Sequence, residues 1–320
     1  MKKQTVFGIL LLVTSFTVFA MGQKSLPEAP EHHELSIPSL VERTYSSTIQ
    51  IEEETESVSG VNSYIASYQS EDSRIYSLFS VPEGPVPEEG FPVVIVAHGF
   101  IPPRQYSTVS SYRRIADIFS QNGYAVLKPD YRAHGNSQGE TGSIYAFIHY
   151  AVDTMNLIAG LDTLENVNTD EVFIWGHSMG GDIALRTAVV MQEEIQAITL
   201  WGAVSEEFPE SILHYWGRHS TIIAENIRES LEQEYNTKEL ARFSYHHFFE
   251  RLDTGIMIHH GTEDEGAPFR WSIALSEDLE EAGIEHTFHQ YPGEDHNFLN
   301  GSYNTVVQRD LDFFSSFLSE

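Results

Sequence analysis

Short apolar runs alternate with amphipathic segments along most of the chain, and this alternation predicts strands followed by helices. The run Val93–Val96 is continuously apolar, as expected for a strand buried on both faces. The stretch 111–122 has helical apolar spacing and ends at Gly123, a typical helix-terminating residue. The predicted strands are 61–69, 74–82, 91–97, 124–128, 171–175, 195–201, 255–259 and 285–291, and the predicted helices are 111–122, 150–164, 181–191, 271–282 and 305–318.

The order of these elements predicts the fold class. Strands that alternate with helices pair in parallel through right-handed crossovers, which gives an α/β fold with a doubly wound, mostly parallel sheet. The first two strands are expected to be antiparallel, with a turn at residues 70–73. In a doubly wound sheet the reactive residues lie just beyond the carboxyl ends of the strands.

The first 22 residues have the pattern of a secretory signal peptide. Lys2 and Lys3 precede an apolar run that reaches Ala20, and small residues follow. Cleavage after Ala20 or after Gly22 fits the pattern, and the run is shorter than the roughly 20 residues that span a bilayer. We therefore expect an exported protein, periplasmic or secreted, without membrane insertion after cleavage.

The remaining chain divides into a linker and one domain. Residues 23–60 are polar and acidic and are expected to form a linker, and residues 61–320 are expected to form one α/β domain. Within that domain, residues from about 205 to 250 fall between two predicted strands and are rich in aromatic side chains. We expect a small helical cap there, whose aromatic residues either line a substrate pocket or only pack the cap onto the sheet.

Charge and cysteine content narrow the function. The formal net charge of −29 opposes binding to nucleic acid. The chain has no cysteine, which excludes disulfides, Cys-ligated metals and a thiol nucleophile.

The segment Gly176–Gly180 has the form G-x-S-x-G, between a predicted buried strand and a predicted helix. This is the context of a nucleophile elbow, in which a sharp turn lifts the serine hydroxyl above the sheet and glycines are needed where a Cβ would collide with backbone. Ser178 is therefore the predicted nucleophile.

A serine nucleophile needs a base and an acid that orients the base. Asp264 follows the strand 255–259, and His296 follows the last strand, so the chain order is Ser, acid, His. We predict Asp264 as the acid and His296 as the base. The alternatives are Glu263, Glu265 and Asp295 for the acid, and His286 and His289, within the last strand, for the base.

An oxyanion hole requires two N–H groups that point at the developing negative charge. The predicted donors are the backbone N–H groups of Met179, next to the nucleophile, and of Phe100, in the segment His98–Phe100 after an earlier strand. This chemistry needs no cofactor and no metal. The adjacent pairs His32-His33 and His246-His247 are not expected to bind one, because neighbouring side chains diverge.

These motifs together resemble the α/β-hydrolase superfamily and, more narrowly, the catalytic domain of the prolyl oligopeptidase family and its propeller-free relatives. The matching stretches are 92–100, 123–137, 176–181, 260–268 and 291–298. One departure is Ala133, which stands where the relatives usually have a glycine. The resemblance implies the α/β-hydrolase fold, a Ser-His-Asp triad and an acyl-enzyme.

The sequence thus predicts an exported serine hydrolase that cleaves small carboxylic esters or short peptide amides. One alternative is a serine peptidase proper of the prolyl oligopeptidase type. Another, from a different class, is a non-catalytic binding protein with the hydrolase fold. No nucleic-acid partner is expected.

Overall fold

The computed structural model describes residues 33–319. Its strands are β1 (Gln50–Glu54), β2 (Val61–Ser70), β3 (Ser73–Pro82), β4 (Phe91–Ala97), β5 (Ala125–Pro129), β6 (Val167–His177), β7 (Ala197–Trp201), β8 (Gly255–Gly261) and β9 (His286–Tyr291). Its α-helices are α1 (Ile37–Glu42), α2 (Arg113–Gln121), α3 (Ala146–Ile158), α4 (Met179–Val190), α5 (Glu210–His219), α6 (Thr221–Glu234), α7 (Thr237–Ala241), α8 (Phe269–Glu281) and α9 (Tyr303–Ser315). Two 3₁₀ segments, Leu161–Thr163 and Tyr245–Arg251, complete the described elements.

The strands of this part of the chain form one sheet in the order β1-β2-β3-β5-β4-β6-β7-β8-β9. The pairs from β5 across to β9 are parallel, whereas β1, β2 and β3 join antiparallel at one side. The predicted turn is present, since Ser70 pairs with Ser73. The predicted fold class, a doubly wound and mostly parallel sheet, is confirmed.

The central strand β4 shows why the sheet needs helices on both sides. Val93 and Ile95 pack into one apolar cluster with α3 and α4, while Val94 and Val96 pack into another with α2 and α9. All four side chains are fully buried. The unbroken apolar run in the sequence therefore reflects burial of β4 on both faces of the sheet.

The domain begins earlier than the sequence predicts. Within the expected linker, Ile37 and Leu40 of α1 are fully buried, and the Ile37 N–H donates to the carbonyl oxygen of Arg242 at 2.8 Å. Strand β1 then pairs with β2 at the edge of the sheet. Its side chains are all exposed, so it has no alternation of apolar residues, and the boundary at residue 61 is wrong for this reason. The expected signal peptide lies outside the described residues.

Helix boundaries also differ from prediction. Helix α3 begins four residues before the expected start at 150 and ends at Ile158, because the chain turns at Gly160 into a short 3₁₀ segment. Helix α4 begins at Met179, directly after the predicted nucleophile. The 3₁₀ segment Tyr245–Arg251 and helices α5, α6 and α7 lie between β7 and β8, where the sequence predicts a cap.

Candidate active site

Ser178 occupies a sharp turn between β6 and α4. Its backbone has φ 56° and ψ −120°, a conformation that L-residues rarely adopt. A Cβ on Gly176 would lie 2.6 Å from the carbonyl oxygen of Gly180, and one on Gly180 would lie 1.9 Å from that of Ala97. Both glycines are therefore required by close backbone contacts, and the turn has the geometry of a nucleophile elbow.

Asp264 and His296 are brought together at the neighbouring strand ends. His296 Nδ1 lies 2.7 Å from Asp264 Oδ2, and the carboxylate is fully buried. The other oxygen, Oδ1, accepts hydrogen bonds from the backbone N–H groups of Gly266 and Ala267 at 2.7 and 2.9 Å. The hydrogen bond between His296 and Asp264 orients the imidazole with Nδ1 toward the carboxylate. It leaves Nε2 as the nitrogen available to exchange a proton.

A second histidine contacts the same carboxylate. Nε2 of His260, which is fully buried, lies 3.0 Å from Asp264 Oδ2, and its Nδ1 lies 2.7 Å from Ser272 Oγ. Burial alone would raise the pKa of Asp264, but hydrogen bonds from His260, His296 and Ala267 hold that pKa well below its usual range. The Asp264 carboxyl is therefore ionised at neutral pH. His260 had no predicted role, although its position four residues before Asp264 is a usable signal.

The alternative acids and bases lie elsewhere. Glu263 and Glu265 are exposed, and Asp295 accepts from the backbone N–H groups of two loop residues that follow it. His286 Nε2 lies 2.6 Å from Ser276 Oγ, and His289 stacks on His259 within the sheet. None of these contacts joins an alternative acid to an alternative base.

The end of β7 connects Ser178 to Asp264 and His296. The Ser178 N–H donates to the carbonyl oxygen of Trp201, and the Ser178 carbonyl oxygen accepts from the Val204 N–H, both at 2.9 Å. Between them, Gly202 has φ +48°, and a Cβ there would lie 2.7 Å from Asp264 Oδ2 and 2.9 Å from His296 Nδ1. Only glycine leaves room for the Asp264 and His296 side chains beside the Ser178 turn.

His177, the residue before Ser178, contacts the His296 backbone and, through Tyr112, the Gly99 loop. Its Nε2 lies 3.0 Å from the backbone oxygen of His296, and its Nδ1 lies 2.5 Å from the hydroxyl of Tyr112. That hydroxyl accepts from the Gly99 N–H at 3.0 Å. The pKa of His177 is lowered to about 3, first by burial and then by the charge of His296, so the ring is neutral and donates from Nε2.

The two predicted oxyanion donors line one cavity. Met179 is the first residue of α4, where N–H groups have no intrahelical acceptor. Phe100 follows β4 with its side chain 63 % exposed, and it borders the same cavity as Ser178 and Met179. His98 is buried with a pKa well below its usual value because of desolvation, and its Nδ1 lies 2.8 Å from the Gly99 carbonyl oxygen. It acts in the structure as a neutral support for this loop.

The cavity beside Ser178 has a volume of about 450 Å³ and a mostly apolar wall. The cap contributes Ile212, Tyr215 and Trp216, and the start of α3 contributes Ala146 and Phe147. The Tyr215 hydroxyl donates to the carbonyl oxygen of Gly266 at 3.2 Å, in the loop of the acid. Some of the cap aromatics thus face the cavity, which the sequence left undecided.

His246 and His247 have different hydrogen-bond partners. His246 Nε2 lies 3.1 Å from the Ser205 carbonyl oxygen, whereas His247 Nε2 faces Glu207 at 3.3 Å. Among residues 33–319, no group of three or more His, Asp or Glu side chains is arranged to hold a metal ion. Across that same range, no helix combines the length and apolarity needed to cross a bilayer. His32 is outside the described residues.

The sheet order and the strand–serine–helix turn define the α/β-hydrolase fold and the class of serine hydrolases. A family model described as "Serine aminopeptidase, S33" matches residues 89–251, about half of the chain, and the chain belongs to that family.

Two curated relatives illustrate the similarity in sequence. The chain is 32 % identical over 104 residues to the quorum-quenching protein AidA of Acinetobacter baumannii (strain MDR-ZJ06), covering 32 % of this chain and 33 % of that protein. It is 25 % identical over 227 residues to the uncharacterized peptidase YtmA of Bacillus subtilis (strain 168), covering 69 % and 80 %. The match to AidA thus spans only a third of that relative's length.

Solved structures show the same fold at low identity. The acetyl xylan esterase from Paenibacillus sp. R4 superposes with a TM-score of 0.66 at 15 % identity, covering 91 % of this chain and 97 % of that one. Porphyromonas gingivalis dipeptidyl peptidase 4 superposes with a TM-score of 0.60 at 16 % identity, covering 86 % and 36 %. At this identity the likeness supports the fold, not a substrate.

Proposed function

We propose that the protein is an exported serine hydrolase that cleaves small carboxylic esters or short amides through a Ser178–His296–Asp264 triad. The observation that carries the proposal is the buried Asp264 carboxylate hydrogen-bonded to His296 Nδ1, next to a serine held in an elbow at φ 56°. Family membership supports the reaction class.

In the proposed reaction, Ser178 Oγ attacks the substrate carbonyl carbon while His296 Nε2 accepts the hydroxyl proton. Asp264 holds the imidazole in the required tautomer and stabilises the imidazolium that forms. The N–H groups of Phe100 and Met179 donate to the oxyanion. His296 then protonates the leaving group, and water releases the acyl group by the same steps.

The test is hydrolysis of p-nitrophenyl acetate by the wild type and by Ser178→Ala. We expect turnover by the wild type and, for the variant, a loss of about 10⁶-fold in kcat, down to the residual rate of a triad-less site. Thr187→Ala, a buried hydroxyl on the same helix, is the matched control and should remain active. A wild type without turnover, or a fully active Ser178→Ala, would refute the proposal.

The export part of the proposal depends on the charged and apolar pattern of residues 1–22. Expression with the native N-terminus and mass spectrometry of the intact product should find a chain that begins after Ala20 or after Gly22. A chain retained inside the cell with residues 1–22 intact would contradict it.

A further inference from the structure

We propose that the cavity beside Ser178 accepts the acyl group of a neutral, apolar ester and discriminates against acyl groups that carry an α-ammonium. This inference rests on the proposed function and adds the substrate class. It also departs from the aminopeptidase activity in the family's description, since an aminopeptidase must hold the free amino group of its substrate.

The cavity lies on the acyl side of the nucleophile. Its wall includes Ser178 together with Phe100 and Met179, the two proposed carriers of the oxyanion donors. Among the described residues that line the cavity, His296 is absent. Because His296 must protonate the leaving group, the leaving group departs on the side of His296, and the cavity is left for the acyl chain.

The chemistry of the wall selects neutral groups. The side chains of Val204, Ile212, Phe147 and Trp216 face it. His219 also lines it, but no described Asp or Glu does, so the wall offers no carboxylate. An α-ammonium lies one carbon from the reacting carbonyl and would therefore enter this wall without a carboxylate to pair with. Desolvating an unpaired cation is costly, so such an acyl group should bind poorly.

The size of the cavity sets the length of the acyl group. A closed apolar cavity of about 150 Å³ holds one benzene ring. At about 450 Å³, this cavity has room for an aryl ring with a short alkyl linker. The aromatic rings of Phe147 and Trp216 offer edge or face contacts to such a ring.

The experiment compares three esters with one leaving group: p-nitrophenyl 3-phenylpropanoate, the p-nitrophenyl ester of phenylalanine, and p-nitrophenyl acetate. The first two differ only in the α-ammonium. Rates are measured at pH 6 after subtraction of spontaneous hydrolysis. We expect kcat/KM for the phenylpropanoyl ester to exceed both others at least about tenfold.

Filling the cavity should abolish this preference. Ala146→Phe adds a ring to the cavity wall and should lower kcat/KM for the phenylpropanoyl ester at least about tenfold more than for acetate. Ala282→Phe, on an exposed position after α8, is the matched control and should keep the preference. If Ala146→Phe fails to fold, Ile212→Trp tests the same wall.

The outcomes separate this inference from the proposed function. Equal rates on the acetyl and phenylpropanoyl esters, or faster cleavage of the phenylalanine ester, overturn the inference while ester hydrolysis by Ser178 stands. An unchanged preference in folded Ala146→Phe and Ile212→Trp also overturns it. A protein that hydrolyses none of the three esters overturns both.

Discussion

The two sides of the site are built differently. On the acid–base side, polar groups are buried and each has a specific partner, as Asp264 has with His296 and His260. On the cavity side, the wall consists mainly of apolar side chains contributed by the cap and α3. Hydrogen bonds with fixed directions suit a reaction that must move one proton between defined atoms, whereas nondirectional packing suits the selection of an acyl group by shape.

The comparison predicts that changes on the acid–base side reduce kcat, whereas changes on the cavity side alter the choice of substrate. Changes to groups that join the two sides should lower kcat less than changes to the acid–base groups themselves.

After Ser178→Ala, the largest effect is expected for Asp264→Asn. The amide keeps the shape but presents an N–H to His296 and stabilises the wrong tautomer, so kcat should fall about 10⁴-fold. The measurement is steady-state hydrolysis of p-nitrophenyl acetate. Glu263→Gln removes a neighbouring exposed carboxylate and should stay close to wild type. Equal losses in the two variants would contradict the assignment of the acid.

A smaller effect is expected for Tyr112→Phe. Its hydroxyl joins the Gly99 N–H to His177, so its removal should displace the oxyanion loop and lower kcat by up to about 10²-fold with little change in KM. Tyr124→Phe, a buried tyrosine in the apolar cluster with α2 and α9, is the matched control. A selective rise in KM would argue instead that Tyr112 acts on substrate binding.

The pH dependence of stability tests the neutral state of His177. Its pKa is about 3 in the fold against 6.5 as a reference, so the unfolded chain binds more protons between these values. The free energy of unfolding should therefore fall as the pH drops below 6.5.

At pH 5 the loss from this group, relative to pH 7.5, is about 2 kcal/mol, from 1.36 kcal/mol per pKa unit. His177→Gln should lack that loss, and the other titrating groups cancel between the two proteins. The measurement is urea unfolding of both proteins at pH 7.5 and pH 5. Parallel changes in wild type and variant would show that His177 is protonated in the fold.

The smallest effect is expected for Tyr215→Phe. Tyr215 belongs to the cavity wall, and its hydroxyl donates to the Gly266 carbonyl oxygen in the loop of the acid. Loss of one such hydrogen bond, worth about 1 kcal/mol, corresponds to about a fivefold fall in kcat/KM. A loss near 10²-fold would mean that the cap is part of the acid–base side.

The sequence predicted the strand ends because their signals are local. The apolar run Val93–Val96 marked a central strand, and the glycines around Ser178 marked the elbow. The pairing of Asp264 with His296 followed from chain order, since the carboxyl ends of parallel strands meet at one edge of the sheet.

Other features depend on contacts between distant segments, which no local pattern records. Every side chain of β1 is exposed, and the strand pairs with β2 through its backbone. The β1 sequence therefore carried no periodic signal. The contacts of His260 with Asp264 and of His177 with Tyr112 become visible only when the strand ends are adjacent. Whether the cap aromatics face the cavity likewise depends on how the cap packs.

The most direct test of the central claim is the site of covalent labelling by a fluorophosphonate. Wild-type protein is treated with the reagent, and the adduct is located by mass spectrometry of the intact protein and of its peptides. We expect a single adduct on Ser178, formed much more slowly in Asp264→Asn and absent in Ser178→Ala. A wild type that does not react, or that carries the adduct on another residue, would contradict it.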